Sequence, residues 1–422
     1  MKLDAKKEIK AHFGIFTIIG ELFTGKRKFR DLFNTSPMDI TFLALVIAVL
    51  TIGIIMMFSA SYVNAMYDTS PTVDGDPYYY IKNQAKFALL GLAVMIAVSF
   101  VKPEIFKQSS TFIALIALFL LVYVLIDPYI IPGKEEFKRW MKIPLLGSFQ
   151  PSEIAKLAIV MIIAFSMDRY HKLIEEKWWM FVPYAVVVLL FCALVYLENH
   201  VSGTVLMFAI GVVTIYFGGI RIHKLVYIVG VSLLIVGIIF IALNAEKILE
   251  GYASMRISVW LKLLRGEELT LEEKRDSGWQ SLQSLYAIGS GGLFGLGFGN
   301  SKQKHMYLPE PQNDFVFAIV CEELGFIRAF LIILLFILLV ARGFYIGLHA
   351  KSRYESMLAM GISFQVGLQA ALNMAVVTAT IPNTGISLPF FSYGGTSLVM
   401  LLLEMGIILS ISRNGERKKK NA

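Results

Sequence analysis

Residues 38–60 read MDITFLALVIAVLTIGIIMMFSA, a run whose only charge, Asp39, stands at its start. About 20 apolar residues suffice for a helix to cross a bilayer, so this stretch reads as a membrane span. Comparable runs follow at 84–101, 111–127, 152–168, 178–197, 203–219, 224–243, 314–342, 356–380 and 393–412. The expected fold class is therefore an all-α polytopic membrane protein with about ten transmembrane helices. Composition agrees. The 422-residue chain is 56% hydrophobic and only 17% charged, and its mean hydropathy is +0.66. A soluble domain carries about a quarter of its residues as charges. Disorder, collagen and coiled coil are excluded on the same grounds. Cys192 and Cys321 both lie in apolar runs and form no disulfide framework.

The net charge of +8 is concentrated at the ends. Lys2, Lys6, Lys7, Lys10, Lys26, Arg27, Lys28 and Arg30 precede the first span, and Arg413, Arg417, Lys418, Lys419 and Lys420 follow the last. Such clusters mark cytoplasmic anchors against anionic lipid, and no aromatic interleaving or motif points to nucleic acid. An even number of spans places both termini in the cytoplasm. The organisation expected is a basic tail over 1–37, a membrane domain over 38–412 and a basic tail over 413–422. Between spans seven and eight, residues 244–313 form a long Gly-rich connection containing Trp260, Trp279 and Tyr286. A connection this long inside a compact protein is functional or disordered, and its aromatic content argues that it folds back onto the outer membrane face.

Ionisable residues inside a membrane are costly, so each is a functional candidate, against the alternative of a solvated helix end. Four groups stand out. Arg139-Trp140 and Lys142 lead into Gln150-Pro151-Ser152-Glu153, with Lys156 one turn later. Pro151 suits a helix start, and Glu153 and Lys156 share a face as an internal ion pair. With Arg139 and Lys142 they could instead form a basic rim for a phosphate-bearing group. Glu198-Asn199-His200 makes a short outer turn, where solvation is the plain expectation. A metal site is not expected there, since no second His or Cys lies at ligand spacing. Tyr307-Leu308-Pro309-Glu310-Pro311-Gln312-Asn313-Asp314-Phe315 opens the eighth span. Asp314 could cap that helix, or act as a general base with Glu310 beside it. Further along, Glu322, Glu323 and Arg328 lie within the span, and Arg328 is expected to pair with a carboxylate. Finally, Asn373 and the Pro- and Gly-rich stretch Ile381–Ser397 suggest a structured re-entrant loop lining a polar cavity.

These blocks, in this order, resemble the SEDS family of bacterial cell-wall proteins (FtsW, RodA and SpoVE), with an ending closer to the FtsW/SpoVE branch. Phe58-Ser59-Ala60-Ser61, Arg256 to Trp260, Gly278-Trp279-Gln280 and Gly291-Gly292 also match. The likeness runs from about Asp39 to Arg413. It implies a peptidoglycan glycosyltransferase that polymerises lipid II at the outer face of the bacterial cytoplasmic membrane and releases undecaprenyl pyrophosphate. The implied partners are a class B penicillin-binding protein and other division or elongation membrane proteins. Carried over, the catalytic aspartate falls on Asp314. The family's important tryptophan falls on Trp140, and its arginine and lysine on Arg139 and Lys156, with Glu153 beside them; Lys142, Glu310, Gln280 and Ser397 complete the expected substrate-binding set. Two departures stand out: Asn199-His200 lacks the family's proline, and Arg328 replaces a glycine.

The chemistry suits these residues. A carboxylate can take the proton of an attacking sugar hydroxyl. The pyrophosphate leaving group needs positive charge, from Arg139, Lys142 and Lys156 or from a divalent cation such as Mg2+ or Mn2+. No further cofactor is called for. Two other readings remain open at the level of sequence: a lipid II flippase, or a division scaffold that recruits the transpeptidase.

Overall fold

The computed structural model describes residues 14–24, 28–126, 139–143, 147–176, 182–220, 252–267, 270 and 278–415. The span expected over 224–243, residues 1–13 and 25–27 of the first basic tail, residues 416–422 of the second and the Lys142 side chain lie outside what is described. In chain order the helices are α1 (Gly14–Phe23), α2 (Ile40–Tyr67), α3 (Tyr79–Phe100), α4 (Pro103–Ile126), α5 (Pro151–Arg169), α6 (His171–Glu176), α7 (Val182–Leu197) and α8 (Val201–Phe217). They continue with α9 (Tyr252–Arg265), α10 (Trp279–Gly291), α11 (Val316–Leu348), α12 (Arg353–Val377) and α13 (Gly395–Asn414). Among the described residues, α2, α3, α4, α11, α12 and α13 are long and apolar enough to cross a membrane, and α7 and α8 are shorter apolar helices. The chain is polytopic and helical, as its composition requires. The one sheet among the described residues is an antiparallel hairpin, β1 (Met141–Ile143) with β2 (Gly147–Phe149), pairing Met141 with Phe149.

The centre of the bundle is α5, in which every residue from Ala155 to Phe165 except Ile162 is buried. Its alanines at 155, 158 and 164 keep it slim, so α4, α8 and α12 close around it. The outward face of α11, with Phe326, Phe330, Leu331, Leu334, Ile337 and Leu338, stays exposed, as lipid contact requires. At the end where α2 begins, Asp39 caps it by accepting from Phe42 N at 2.8 Å and pairs with Arg342 at 2.6 Å.

Two helix ends differ from the sequence expectation for a common reason. The polar residues that seemed to stop a span find partners in the fold. α2 runs on to Tyr67, where Asn64 Nδ2 donates to Gln312 Oε1 at 3.1 Å. α3 begins at Tyr79 rather than near 84, because Gln84 is buried and donates to the Ser392 carbonyl at 3.2 Å.

The long connection does fold back. Trp260 Nε1 donates to the Ala379 carbonyl at 2.9 Å and Ser284 Oγ to the Val377 carbonyl at 2.6 Å, tying α9 and α10 to the end of α12. Its Gly-rich turn is spliced into α11. Gly325 interrupts that helix at φ 77, ψ 175, and Phe326 N then donates to the Gly292 carbonyl at 2.9 Å. Glu322 and Glu323 are fully buried and hold the same turn. Glu323 pairs with Lys304 at 2.9 Å and accepts from Ser59, while Glu322 accepts from Lys302 N at 3.0 Å and from Ser301. Those carboxylates are therefore structural. Arg328, expected to pair with a carboxylate as a buried charge, instead lies exposed and donates to the Phe294 carbonyl at 3.1 Å.

Candidate active site

A cavity of about 930 Å³ opens among the starts of α3, α5, α8 and α13, beneath the 378–394 loop and the Glu310–Asp314 approach to α11. Three helix N-termini, those of α5, α8 and α13, line it with Ser152, Gly203 and the Gly395–Ser397 turn. Their unsatisfied N–H groups and dipoles make the site hospitable to negative charge. The hairpin is held at its wall by Thr396 Oγ1, which donates to the Ser148 carbonyl at 3.0 Å.

Asp314 precedes the helix rather than capping it, for the capping position of α11 falls on Phe315. Its backbone carbonyl accepts from Asn373 Nδ2 at 2.7 Å, and the same amide grips the Ile386 carbonyl at 2.7 Å. The buried Asn373 thus fixes both the aspartate and the loop opposite it. Gly385, at φ +67, lets that loop pass close: a Cβ there would lie 3.2 Å from Asp314 Oδ2. The carboxylate is half-buried in the cavity wall.

Deeper in, Lys156 pairs with Glu153 at 3.0 Å, as the i,i+3 spacing predicts, and donates to Gln369 Oε1 at 3.1 Å. Gln369 Nε2 in turn donates to the Ser387 carbonyl at 3.1 Å. Arg139 Nη2 donates to the Asn199 carbonyl at 2.5 Å, which seats the guanidinium on the α7–α8 turn. Glu310 accepts from Asn313 Nδ2 at 2.8 Å.

That turn is not solvated as the sequence suggested. Glu198 is fully buried, and neither of its carboxylate oxygens has a hydrogen-bond partner. Burial pushes its carboxyl up to about 8, with the Arg139 guanidinium pulling the other way. Burial, and then the charges of Arg139 and Lys156, push the His200 imidazole down to about 3. In the unfolded chain Glu198 ionises near 4.5, whereas the fold holds its proton to about 8. Stability must therefore fall as pH rises through that window. Glu198→Gln removes this loss and leaves the contribution of His200 unchanged. The variant's melting temperature is expected to rise as pH increases from about 5 to about 6.5, where His200 of the unfolded chain sheds its proton, and then to hold to about pH 8, while the parent's stays level at first and then falls. Parallel pH slopes would show that Glu198 does not titrate there.

Of the residues singled out from the sequence, the cavity gathers Asp314, Trp140, Arg139, Glu153, Lys156, Glu310 and Ser397. Gln280 is not among its lining residues; its Oε1 accepts from Asn383 Nδ2 at 2.8 Å and so braces the 378–394 loop from behind. Lys142 lies in β1, with its side chain outside the described set. Sequence reasoning missed Gln365, Gln369 and Glu404, which also line the cavity. Glu404 had a signal, being a lone charge inside the last apolar run.

The site also bears on the divalent cation considered above. Among the described residues no group of three or more His, Cys, Asp or Glu side chains is arranged to hold a metal ion. Glu153, Glu310 and Glu404 each have an ammonium or amide partner. The described residues thus build no metal cage of their own, whereas a cation carried on substrate phosphates would need only one or two carboxylates, such as Asp314 and Glu310; the chemistry below is derived from side chains.

The chain is similar to known proteins over most of its length. The family model described as "Cell cycle protein" (FtsW/RodA/SpoVE) matches residues 40–417. Stage V sporulation protein E of Bacillus subtilis is 38% identical over 382 residues, covering 90% of this chain and 98% of that protein. The probable peptidoglycan glycosyltransferase FtsW of Geobacter sulfurreducens is 35% identical over 376 residues, covering 89% and 95%. Among solved structures, a chain from a peptidoglycan synthase complex that coordinates polymerization and crosslinking shares the fold. Its TM-score is 0.69 at 23% identity, over 89% of this chain and 98% of that one.

Proposed function

The chain belongs to the FtsW/RodA/SpoVE family of cell cycle proteins, and from that premise we propose that it is a peptidoglycan glycosyltransferase. It polymerises lipid II at the outer face of the bacterial cytoplasmic membrane, with both termini in the cytoplasm. It works beside a class B penicillin-binding protein, which crosslinks the strands it makes. The observation that carries this reading is the single cavity in which Asp314 meets Arg139, Trp140 and Lys156 among three helix N-termini.

In the proposed reaction a hydroxyl of incoming lipid II attacks the anomeric carbon of the growing strand. Its proton passes to the Asp314 carboxylate as the new C–O bond forms. The bond from that carbon to the diphosphate breaks, and its electron pair leaves on a phosphate oxygen. Arg139 and the helix N-termini stabilise the charge that develops there, so no second carboxylic acid is needed. A single displacement inverts the anomeric centre. The exposed apolar helix faces accommodate the polyprenyl chains.

Purified full-length protein given labelled lipid II is expected to produce glycan ladders without any other polymerase. Transbilayer movement without polymer would make it a flippase, and silence unless a polymerase is added would make it a scaffold. Arg139 is expected to bind rather than to fold, since its contact is made to the backbone carbonyl of Asn199, the exposed residue of that turn. Arg139→Ala should raise KM for lipid II about tenfold or more while shifting the melting temperature little. A lost fold with unchanged KM would reverse that assignment.

A further inference from the structure

The Gly-rich turn that is spliced into α11 carries large apolar side chains on its outside. Phe294 is 72% exposed, and Leu293 and Phe298 are exposed with it. On the adjoining turn of α11, Phe326, Ile327 and Phe330 are exposed too, with the Phe326 and Phe330 rings stacked at 6.3 Å. The depth of this patch follows from α2, which touches α11 at two heights. Asp39 meets Arg342 at 2.6 Å, and Ser59 Oγ donates to Glu323 Oε2 at 2.7 Å. Between Asp39 and Ser59 α2 climbs about 30 Å by helical rise. The hydrocarbon core of a bilayer is about 30 Å thick. With the Asp39–Arg342 ion pair at one boundary, the other passes close to Glu323, just before the break at Gly325. Gly297 N donates to the Glu323 carbonyl at 3.0 Å, which brings the turn to that plane.

Irregular backbone survives at such a depth only where the protein satisfies its polar groups. Here it does. The carbonyls of Gly291, Gly292 and Leu293 accept from Gly295 N at 2.8 Å, Phe326 N at 2.9 Å and Ile327 N at 3.2 Å, and Leu296 N donates to the Glu322 carbonyl at 2.9 Å. The next carbonyl, that of Phe294, accepts from Arg328 Nη1 at 3.1 Å. This bond leaves other N–H groups of the exposed guanidinium available, and among the described residues no carboxylate pairs with it. A cation held at the edge of the hydrocarbon, beside rings that lie in it, matches a lipid with a phosphate head and acyl tails. We propose that the 291–299 turn is embedded in the leaflet farther from Asp39, and that Arg328 there binds the headgroup phosphate of an anionic phospholipid whose acyl chains lie along Phe294, Phe326 and Phe330. In the orientation proposed above this is the outer leaflet. The site does not depend on the transfer reaction.

The test is fluorescence quenching in vesicles that hold the full-length Phe294→Cys protein labelled with bimane. Cys192 and Cys321 are buried, and the labelled parent gives the blank. Phosphatidylcholine with brominated chains should quench the label, and iodide in the water should not. Brominated phosphatidylglycerol, as a minor share of the lipid, should quench about fivefold more per bromine, the usual worth of one basic residue at a membrane surface. Adding Arg328→Gln should abolish that excess and keep the quenching by phosphatidylcholine, which shows the turn still in place. Arg328→Lys, which keeps the charge, and Lys86→Gln, which removes an exposed cation of α3, should both retain an excess. On the Arg328 protein itself, molar salt should shrink the excess without touching the phosphatidylcholine signal, a reading that needs no variant at residue 328. Quenching by iodide rather than by bromine would put the turn in water and overturn the proposal. So would equal quenching per bromine by the two lipids, an excess that survives Arg328→Gln, or an excess that Lys86→Gln abolishes as well.

Discussion

Asp314→Asn is expected to lower kcat for glycan polymerisation by about 100- to 10,000-fold, the usual worth of a positioned general base. The carboxamide matches the carboxylate in size but cannot take the hydroxyl proton. KM should hardly move, because ground-state contacts with the substrate are kept. The fold should persist as well. Asn373 holds residue 314 through its backbone carbonyl, not its side chain, and Phe315 occupies the capping position of α11. Ladder assays on purified protein, with circular dichroism as the folding check, measure both. An asparagine variant that polymerised at the parental rate would remove Asp314 from the chemistry.

Gly325→Ala should cause a large loss of stability at the α10–α11 junction. At φ 77, ψ 175 the backbone is in a region essentially closed to side chains. A Cβ would lie 2.2 Å from Gly295 N, 2.4 Å from the Phe294 carbonyl carbon and 2.6 Å from the Leu293 oxygen. All three are backbone atoms of the spliced turn, so no side chain can swing away. A cost of about 3 kcal/mol or more is expected. Because that turn leads through Lys304 to Glu310 and Asp314, activity should fall along with the melting temperature. Gly289→Ala is the control: nothing lies within 4 Å of its new Cβ. Equal melting curves for the two variants would mean that the splice between the turn and α11 does not exist.

Six of the expected spans were legible because apolar length alone decides membrane crossing, and runs such as 38–60 carry almost no competing signal. The Glu153–Lys156 pair was legible from helical spacing. What eluded sequence reading depends on contacts between distant segments. Arg328 looked like a buried charge because its span is apolar on both sides. Only the break at Gly325 and the turn carbonyl of Phe294 explain why it lies exposed. Glu322 and Glu323 looked functional for the same reason, until the loop residues Ser301 to Lys304 arrived as their partners. The β1–β2 hairpin is three residues a side and too short for a periodic pattern. Glu404, a lone charge in the last apolar run, joined the cavity lining only when α12 brought Gln365 to it. The identity of Asp314 as the candidate base came from the family resemblance. Its spacing alone favoured a capping role, and the fold moved the cap to Phe315.

The central claim is that sugar transfer takes place in the cavity between Asp314 and the Arg139 wall. A cryo-EM structure of the full-length protein with a non-hydrolysable lipid II analogue tests it most directly. The acceptor hydroxyl is predicted within about 2.6–3.2 Å of the Asp314 carboxylate, or one water away, with the diphosphate against Arg139 and the head of α5. A diphosphate bound outside this cavity, or an acceptor hydroxyl turned away from Asp314, would contradict it.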